Sequence, residues 1–266
     1  APRSISQTLP SNGAVCQSGR GAPSTTQSAI VIPLSTTELQ QKSSTVRVSS
    51  GVEELDKMCG GGMYRDSIIL ISGATGTGKT LMVTEFVKAA WQSGNRVLLV
   101  GAEESRQQLI RNANAWGVDF EQAEKDGLLK MVCRYPESMG LEDHLVQIRR
   151  VVDEVKPTRV AIDSMSAIER ISTPKSFREF AIGLTGFFKQ LGIAAVYTNT
   201  SPGLIGAASL TESHISTVTD SIIMLRYVEL GGQMRRALTV LKMRGSGHEK
   251  SVREYVITNA GMRIKG

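Results

Sequence analysis

Eight consecutive residues of the sequence fit the pattern GxxxxGK[ST]: Gly73-Ala74-Thr75-Gly76-Thr77-Gly78-Lys79-Thr80. The glycines allow backbone N–H groups to point inward around an anion, and a helix that follows would add partial positive charge at its first turn. A lysine at this position reaches the β- and γ-phosphates of a nucleotide, and the next hydroxyl binds Mg²⁺. The segment predicts a nucleotide phosphate site, a P-loop. A chance glycine-rich turn is the competing interpretation.

A second metal ligand is expected at the end of another buried strand, because Mg²⁺ in such sites also takes a carboxylate. The run Arg159-Val160-Ala161-Ile162-Asp163-Ser164 provides Asp163 at that position, the Walker B aspartate of P-loop proteins. We predict Thr80, Asp163 and Glu103 as the Mg²⁺ residues and Ser164 as part of the nucleotide site. An aspartate that caps the next helix is the alternative.

Two adjacent carboxylates, Glu103 and Glu104, follow the apolar run Arg96–Gly101. Ligands of open α/β sheets bind beyond the carboxyl ends of the strands, so both side chains are expected at that edge. Repulsion between the two charges could raise the pKa of one of them, which suits a general base. The competing interpretation is a pair of acids stabilised by the positive end of the following helix.

Cations and hydroxyls concentrate in two later segments. Lys242-Met243-Arg244-Gly245 ends a strand-like run with two cations on one side, because alternate residues of a strand share a face. These cations could hold the γ-phosphate or line a solvated edge, and the spacing does not choose between the two. Hydroxyls concentrate at residues 209–217 around His214, and a simple turn is the usual explanation of such a loop.

Apolar strand-like runs alternate with amphipathic stretches of about a dozen residues, a pattern typical of repeated βα units and a mostly parallel sheet. The predicted strands are Ser67–Ser72, Arg96–Gly101, Leu129–Cys133, Arg159–Asp163 and Ile193–Thr198. The predicted helices are Lys79–Gln92, Ser105–Trp116, Leu141–Val155 and Ser176–Leu191.

The pattern changes after His214. Ser221–Leu230 and Gln233–Arg244 flank Gly231-Gly232, and Arg253–Thr258 follows, which predicts antiparallel strands with a tight glycine hairpin. The predicted fold class is therefore α/β, of the RecA-like P-loop NTPase type. A mostly parallel central sheet is flanked by helices and carries an antiparallel C-terminal hairpin.

The composition also divides the chain. Residues 1–28 are rich in Ser and Thr without periodic apolar positions, which predicts a disordered tail or linker. Residues 29–45, with the apolar run Ala29–Leu34, are predicted to form an inter-domain linker, and residues 46–266 one domain. The chain begins with Ala rather than Met, which favours processing or excision from a longer polypeptide.

Charge and cysteine content restrict the class of protein. The net charge of +6 is spread along the chain, so a nucleic-acid partner is not favoured, and no apolar run approaches the ~20 residues that span a bilayer. Cys16, Cys59 and Cys133 are widely spaced, with no CxxC pair and no secretory signal, so neither a disulfide framework nor a zinc site is indicated. We predict a cytoplasmic protein without a membrane partner.

From about Ile30 to its end the sequence resembles the second, C-terminal ATPase domain of the KaiC family of circadian clock proteins. The resemblance rests on the P-loop and on further segments: Val46–Val52, Met58–Gly62, Tyr135–Ser138, Gly140–His144, Thr198–Ser201, Ser213–Thr217 and Lys242–Ser246. It implies an ATP- and Mg²⁺-dependent serine/threonine autokinase with ATPase activity, built as a homohexameric ring with ATP between subunits.

The resemblance also implies residue roles. The phospho-acceptors would be Ser216 and Thr217, with Thr211 nearby. Glu103 would be the general base with Glu104 as its neighbour, and Trp116 would contact the nucleotide. Lys242 and Arg244, within the nucleotide-binding run Lys242–Gly245, would reach the γ-phosphate of the adjoining subunit. Lys79 would act in catalysis as well as in binding.

The family pairs two ATPase domains in tandem, and this sequence holds one P-loop. It is therefore expected to be a fragment or a single-domain relative. KaiA-like and KaiB-like clock proteins are the implied partners of the full-length protein. Because the sequence stops at Gly266, short of the family's C-terminal tail, the KaiA site on that tail is expected to be absent.

Two other functions stay open from the sequence. A RecA-like DNA-dependent ATPase or recombinase would share the fold, although clustered basic and aromatic residues of the kind that stack bases are not found. An assembly module that uses ATP only to form oligomers, without kinase activity, is the other alternative.

Overall fold

The structure, a computed structural model, describes residues 43–201 and 214–265. Thr211 and the predicted segments before residue 43 lie outside the described residues. The strands are β1 (Arg47–Val48), β2 (Met63–Tyr64), β3 (Ile68–Gly73), β4 (Val97–Gly101), β5 (Leu129–Cys133), β6 (Arg159–Asp163), β7 (Ala194–Thr200), β8 (Ser221–Leu230), β9 (Gln233–Met243), β10 (Arg253–Thr258) and β11 (Gly261–Ile264).

The described strands form one nine-stranded sheet and a separate two-stranded pair, β1-β2. The order of the large sheet is β11-β10-β9-β8-β3-β7-β6-β4-β5. From β8 to β5 all neighbours are parallel, whereas β8, β9, β10 and β11 pair antiparallel in sequence order. The predicted mostly parallel sheet with an antiparallel C-terminal flank is confirmed.

Helices cover both faces of this sheet. Among the described residues they are α1 (Glu53–Met58), α2 (Lys79–Gln92), α3 (Arg106–Ala115), α4 (Phe120–Lys125), α5 (Leu141–Val155), α6 (Met165–Arg170) and α7 (Pro174–Gln190), with 3-10 helices at Pro136–Ser138 and His214–Thr217. The four predicted helices are present within two residues of their predicted bounds. No helix in the described ranges is both long and apolar enough to cross a membrane.

Alternate residues of the central strand β3 enter two separate cores. Ile69 and Ile71 pack with residues of α1 to α4 on one face. Ile68 and Leu70 pack with residues of α5 to α7 on the other. Because successive strand residues point to opposite faces, a strand covered on both sides is buried throughout and mostly apolar. All six β3 residues are buried, and Ser72 is the one with a polar side chain.

The antiparallel flank begins at the hairpin between β8 and β9. Gly231 and Gly232 both have positive φ, 60° and 72°. Two such residues form the type I′ turn whose twist matches a two-residue hairpin, so the glycines are required by the backbone. The sequence pattern did not predict β11. This strand pairs with β10 across a short turn at Asn259-Ala260 and is the outermost strand on this side of the sheet.

The start and the end of β3 mark two edges of the sheet, the amino edge and the carboxyl edge. At the carboxyl edge β3, β4, β6 and β7 end, and the P-loop follows β3 there. At the amino edge these strands begin, and β8 begins there too, since Ser221 lies beside Ile69. Side chains that follow parallel strands therefore meet at the carboxyl edge, and side chains that precede them meet at the amino edge.

We expect Gly51→Ala to destabilise the fold far more than Gly94→Ala. Both glycines have positive φ, 91° and 66°, so both substitutions carry the left-handed backbone penalty of about 1–2 kcal/mol. A Cβ at Gly51 would lie 2.1 Å from the backbone oxygen of Glu85 in α2, whereas a Cβ at Gly94 meets nothing within 4 Å. Overpacking against backbone should add about 1–3 kcal/mol to the cost of Gly51→Ala.

Equilibrium urea unfolding of the two variants checks this difference, with Gly94→Ala as the matched control for backbone strain. Equal losses of unfolding free energy would show that α2 moves aside and that close approach at Gly51 is not what requires a glycine.

Candidate nucleotide and acceptor sites

The P-loop connects β3 to α2 at the carboxyl edge. Gly76 and Gly78 have positive φ, 79° and 99°, and Gly78 is the residue immediately before the first turn of α2. A Cβ on Gly73 would lie 2.4 Å from the backbone oxygen of Leu225, so the loop must start with glycine. Backbone N–H groups at the start of a helix and in a glycine-rich turn form a site for phosphate.

Lys79 lies inside this loop. Its Nζ donates to the carbonyl oxygens of Gly73 and Ala74 at 2.9 and 3.0 Å. Burial lowers the pKa of Lys79, and the carboxylates of Asp163 and Glu103 partly oppose this effect. The ammonium group is thus within the cradle that a bound phosphate would occupy, beside the two acids predicted for metal binding and catalysis.

Two hydroxyl side chains from separate elements meet at Asp163. The Thr80 hydroxyl donates to Asp163 Oδ2 at 2.7 Å, and the Thr198 hydroxyl donates to Oδ1. Burial raises the pKa of Asp163, while the hydrogen bonds from Thr198 and Thr80 lower it. The alternative of a helix-capping aspartate does not hold, because Ser164 is the N-cap of α6 and its hydroxyl accepts from Ala167 N.

The donor set at Thr80 and Asp163 fits Mg²⁺. A hydroxyl and a carboxylate adjacent to a phosphate cradle are hard oxygen ligands, and Mg²⁺ is usually held by one or two such groups together with substrate phosphates and water. Within residues 43–201 and 214–265, no group of three or more His, Cys, Asp or Glu side chains is arranged to hold an ion by itself. Nucleotide phosphates would therefore supply part of the coordination.

Glu103 and Glu104 occupy different environments although they are adjacent. Glu103 accepts from the Ser164 hydroxyl at 2.9 Å and from Arg170 Nη2 at 2.8 Å, and its side chain is 39% exposed. Glu104 turns inward and accepts from Asn112 Nδ2 at 2.7 Å. Glu103 is the carboxylate more open to an incoming hydroxyl.

Neither glutamate caps the helix that follows, which was the alternative interpretation. Ser105 is the N-cap of α3, and its hydroxyl accepts from Gln108 N while the Gln108 side chain accepts from Ser105 N. This reciprocal capping box satisfies the first turn of α3 without either carboxylate. Glu103 and Glu104 lie at the carboxyl edge without a role in capping α3.

Ser216 and Thr217 belong to the 3-10 helix His214–Thr217, at the amino edge. Lys242 Nζ donates to the carbonyl oxygens of Ser216 and Thr219 at 3.1 and 2.7 Å. Arg244 Nη2 donates to the Thr217 carbonyl at 3.3 Å. The two cations predicted for the γ-phosphate are thus brought together with the two predicted acceptors. Thr211 lies in the undescribed segment.

Asp220 fixes the segment with the predicted acceptors to the beginning of β3. Its carboxylate accepts from Ile68 N at 2.9 Å and from Lys189 Nζ at 2.7 Å, and its own N–H donates to the Ile68 carbonyl at 2.8 Å. The P-loop follows the other end of β3, at Gly73. At about 3.3 Å per residue the two ends are about 16 Å apart. The predicted acceptors and the P-loop of one chain therefore lie at opposite edges of the sheet.

Comparison with known proteins gives the family of the chain. The model of the KaiC ATPase family matches residues 48–266. The chain belongs to the KaiC family of ATPases. Circadian clock protein KaiC3 of Synechocystis sp. is 62% identical over 235 residues, which are 88% of this chain and 46% of that protein.

Two further relatives of the KaiC family carry the name circadian clock oscillator protein KaiC. That of Picosynechococcus sp. is 56% identical over 235 residues, covering 88% of this chain and 46% of the relative. That of Prochlorococcus marinus (strain MIT 9313) is 55% identical over 240 residues, covering 90% and 48%. The chain spans about half the length of the curated relatives that it matches.

The remaining predicted nucleotide residues of this KaiC-family domain differ in their burial and in their contacts. Trp116 ends α3 and is partly buried against the core on the α2 face. Met243 points into that same core, so its side chain serves packing. Gly245 has φ of +72°, and its carbonyl accepts from the Tyr64 hydroxyl at 2.9 Å. Lys242 and Arg244 present the polar groups of this segment.

Arg236 is a site residue that the sequence analysis missed. Its Nε donates to the Gly76 carbonyl at 3.3 Å, and its guanidinium lies 5.6 Å from the ring centroid of Tyr227. Tyr255 was also missed: its hydroxyl donates to the Thr77 carbonyl. Both come from the antiparallel flank, and no spacing in the sequence relates them to the P-loop. One weak signal for Arg236 was present in the sequence: in the predicted hairpin this cation lies directly opposite the aromatic residue Tyr227.

We expect Glu104→Gln to stabilise the protein increasingly as the pH rises. Burial raises the pKa of the Glu104 carboxyl, and the charge of Asp163 raises it further. The folded state then binds this proton more tightly than the unfolded state, so the contribution of Glu104 to stability is lost as pH rises through the folded pKa. Glutamine cannot ionise and avoids this loss.

Urea unfolding at about pH 4 and about pH 7 measures the effect, since the ordinary glutamate pKa of about 4.3 lies at the lower limit of this range. The unfolding free energy of Glu104→Gln relative to the parent should increase between the two values. Glu179→Gln, at an exposed position of α7, is the control and should stay within about 0.5 kcal/mol of the parent at both. A constant difference for Glu104→Gln would contradict the assignment.

Proposed function

We propose that this chain is an ATP-binding serine/threonine autokinase domain with ATPase activity that works in a homohexameric ring. Each subunit would use ATP and Mg²⁺ to phosphorylate Ser216 and Thr217 of its neighbour. The names of the relatives support a role in a circadian clock, and we extend this proposal to KaiA-like and KaiB-like partners of the longer protein in the cytoplasm.

The observation that carries the proposal is the separation of the two half-sites. The P-loop, Asp163 and Glu103 lie at the carboxyl edge, and Ser216 with Thr217 lies at the amino edge beside Lys242 and Arg244. In-line transfer requires reacting atoms about 3–3.5 Å apart, which is far less than the length of β3. A second copy that presents its amino edge to this carboxyl edge would complete the site.

The proposed chemistry follows from the groups at each edge. The acceptor hydroxyl oxygen attacks the γ-phosphorus, the bond from that phosphorus to the β–γ bridging oxygen breaks, and ADP leaves. Glu103 takes the hydroxyl proton, while Ser164 and Arg170 hold its carboxylate in place. Lys79, together with Lys242 and Arg244 of the neighbour, offsets charge on the transferring group. Mg²⁺ held by Thr80 and Asp163 would neutralise charge on the β- and γ-phosphates.

Phosphopeptide mapping after incubation with Mg-ATP, combined with native mass measurement in ATP and in ADP, tests the proposal. Phosphate on Ser216 or Thr217 and a hexameric mass in ATP are expected. Assembled rings that turn over ATP but carry phosphate on neither residue would exclude the kinase. ATP hydrolysis stimulated by DNA would favour a nucleic-acid motor, and assembly without turnover would favour an assembly module.

A further inference from the structure

Arg244 is weakly held in the structure. Its Nη2 donates to the Thr217 carbonyl at 3.3 Å, and its Nη1 lies 3.8 Å from Asp220 Oδ1. A neutral carbonyl at that distance and a carboxylate at the outer limit of an ion pair are poor partners for a guanidinium that can donate five hydrogen bonds. The Arg244 side chain is also 56% exposed. A stronger anion within reach would displace these contacts.

The two lysines nearby are held more firmly. Lys242 is anchored by two carbonyl oxygens, at 3.1 and 2.7 Å, and burial lowers its pKa, with the charge of Arg244 adding to the effect. Lys189 is paired with Asp220 at 2.7 Å. Asp220 is therefore already neutralised by Lys189, which leaves Arg244 as the cation available to a new negative charge next to Thr217.

A polar cleft of about 370 Å³ opens beside Arg244. Its lining includes Lys189, Asp220, Tyr64 and Asp66, together with the hydroxyl residues of the segment 43–45. The cleft has room for a phosphoryl group, and its hydroxyls can donate to phosphate oxygens. Asp66 and Asp220 oppose an anion here. Asp220 is offset by its ion pair with Lys189, whereas Asp66 accepts a neutral hydrogen bond, from Ser44 N at 2.9 Å.

We propose that Arg244 is the receptor for a phosphoryl group on Thr217 of its own chain. The inference rests on the proposed function only for the identity of Thr217 as an acceptor. A phosphothreonine carries about −1.5 to −2 charges at pH 7 and three strong acceptor oxygens. The guanidinium that now reaches the Thr217 carbonyl can exchange it for a forked, charge-assisted contact to this phosphate.

This receptor makes phosphorylation self-limiting. Arg244 is also the cation proposed to reach the nucleotide of the neighbouring subunit. One guanidinium cannot make a two-pronged contact to the Thr217 phosphate and to that nucleotide at the same time. Once Thr217 of a subunit is phosphorylated, its Arg244 is drawn to that phosphate and the neighbour's nucleotide loses one cation. Each modified subunit thereby slows further transfer at the same interface.

The test uses the full chain with phosphothreonine installed at position 217 during translation, so that it does not depend on the chain's own kinase activity. A ³¹P NMR titration gives the second pKa of the phosphate, which is about 6 without perturbation. We expect a pKa at least about half a unit lower in the parent than in Arg244→Met, because a nearby cation favours the dianion. Arg263→Met, at an exposed position on β11, is the matched control and should give the parent value.

Equal pKa values in the parent and in Arg244→Met would overturn the proposal. If Arg244→Met does not fold, a phosphothreonine peptide of residues 214–220 replaces it, and a parent pKa equal to that of the peptide overturns the proposal as well. The proposed function is judged separately, by phosphopeptide mapping in Mg-ATP. If the proposed function fails that test, the titration still decides whether Arg244 binds the phosphate, because the phosphothreonine is installed during translation.

Discussion

Glu103→Gln should lower the rate of autophosphorylation by about 10²–10⁴-fold, the usual contribution of a general base. The carboxylate of Glu103 now accepts from the Ser164 hydroxyl at 2.9 Å and from Arg170 at 2.8 Å, on separate oxygens. Glutamine keeps the size of the side chain, and its one amide oxygen can still accept from Arg170 while its NH2 group donates to the Ser164 hydroxyl oxygen. It cannot take the proton of the acceptor hydroxyl. ATP binding should therefore be retained, because the P-loop, Thr80 and Asp163 are untouched.

The rate is measured as phosphate incorporated per subunit over time, with ring mass as a check on assembly. Glu104→Gln is the matched control: it removes the adjacent carboxylate, which hydrogen-bonds to Asn112 and faces inward. We expect it to reduce the rate much less than Glu103→Gln. Full activity of Glu103→Gln together with loss in Glu104→Gln would transfer the role of base to Glu104.

A mixture of two inactive chains should recover phosphorylation, and only one of them should be labelled. A Lys79→Met chain lacks the P-loop lysine but keeps its acceptors, and a chain with Ser216→Ala and Thr217→Ala keeps its P-loop but cannot accept. Each alone should show only background. Because acceptor and P-loop of one chain lie at opposite edges of the sheet, transfer must occur between copies, and the Lys79→Met chain should receive the phosphate.

In randomly mixed rings about a quarter of the interfaces would join an intact P-loop to an intact acceptor in the required orientation, since every head-to-tail interface of a ring is equivalent. Incorporation should approach that fraction of the parent value. Isotope labelling of one chain distinguishes the two by mass. Mixed rings that stay unlabelled, while parent rings are phosphorylated, would mean that transfer occurs within a chain and that the acceptor segment can leave its place beside β3.

Long helices could be predicted from the sequence, and short helices could not. α2 and α5 were predicted at their observed bounds. α5 buries residues on one face over several turns, and α2 is a long, largely buried helix whose start is set by the P-loop. α1, α4 and α6 have six residues each and were missed. Isolated helices of that length are unstable in water and depend on tertiary packing, so their own sequences carry little signal.

The residues of the candidate site also differ in how far the local sequence predicted them. The P-loop was identified from eight residues because its phosphate cradle is made by consecutive backbone groups whose conformation depends on local glycines. Asp163 was found because a buried strand that ends in an acid is a local pattern. The roles given to Ser216 and Thr217 came from the family resemblance alone, since hydroxyls in a loop have no spacing of their own that indicates phosphorylation.

The sequence by itself determined the nucleotide cradle, the buried parallel strands and the candidate acids at their ends, because each depends on neighbours within a few residues. Only the tertiary structure decided where the antiparallel flank would meet this core. Arg236 contacts Gly76 across 160 positions, and Tyr255 contacts Thr77 across 178. It also decided that β8 lies parallel beside β3, which sets the predicted acceptors at the amino edge. Strand order depends on packing of the whole chain, and no local pattern encodes it.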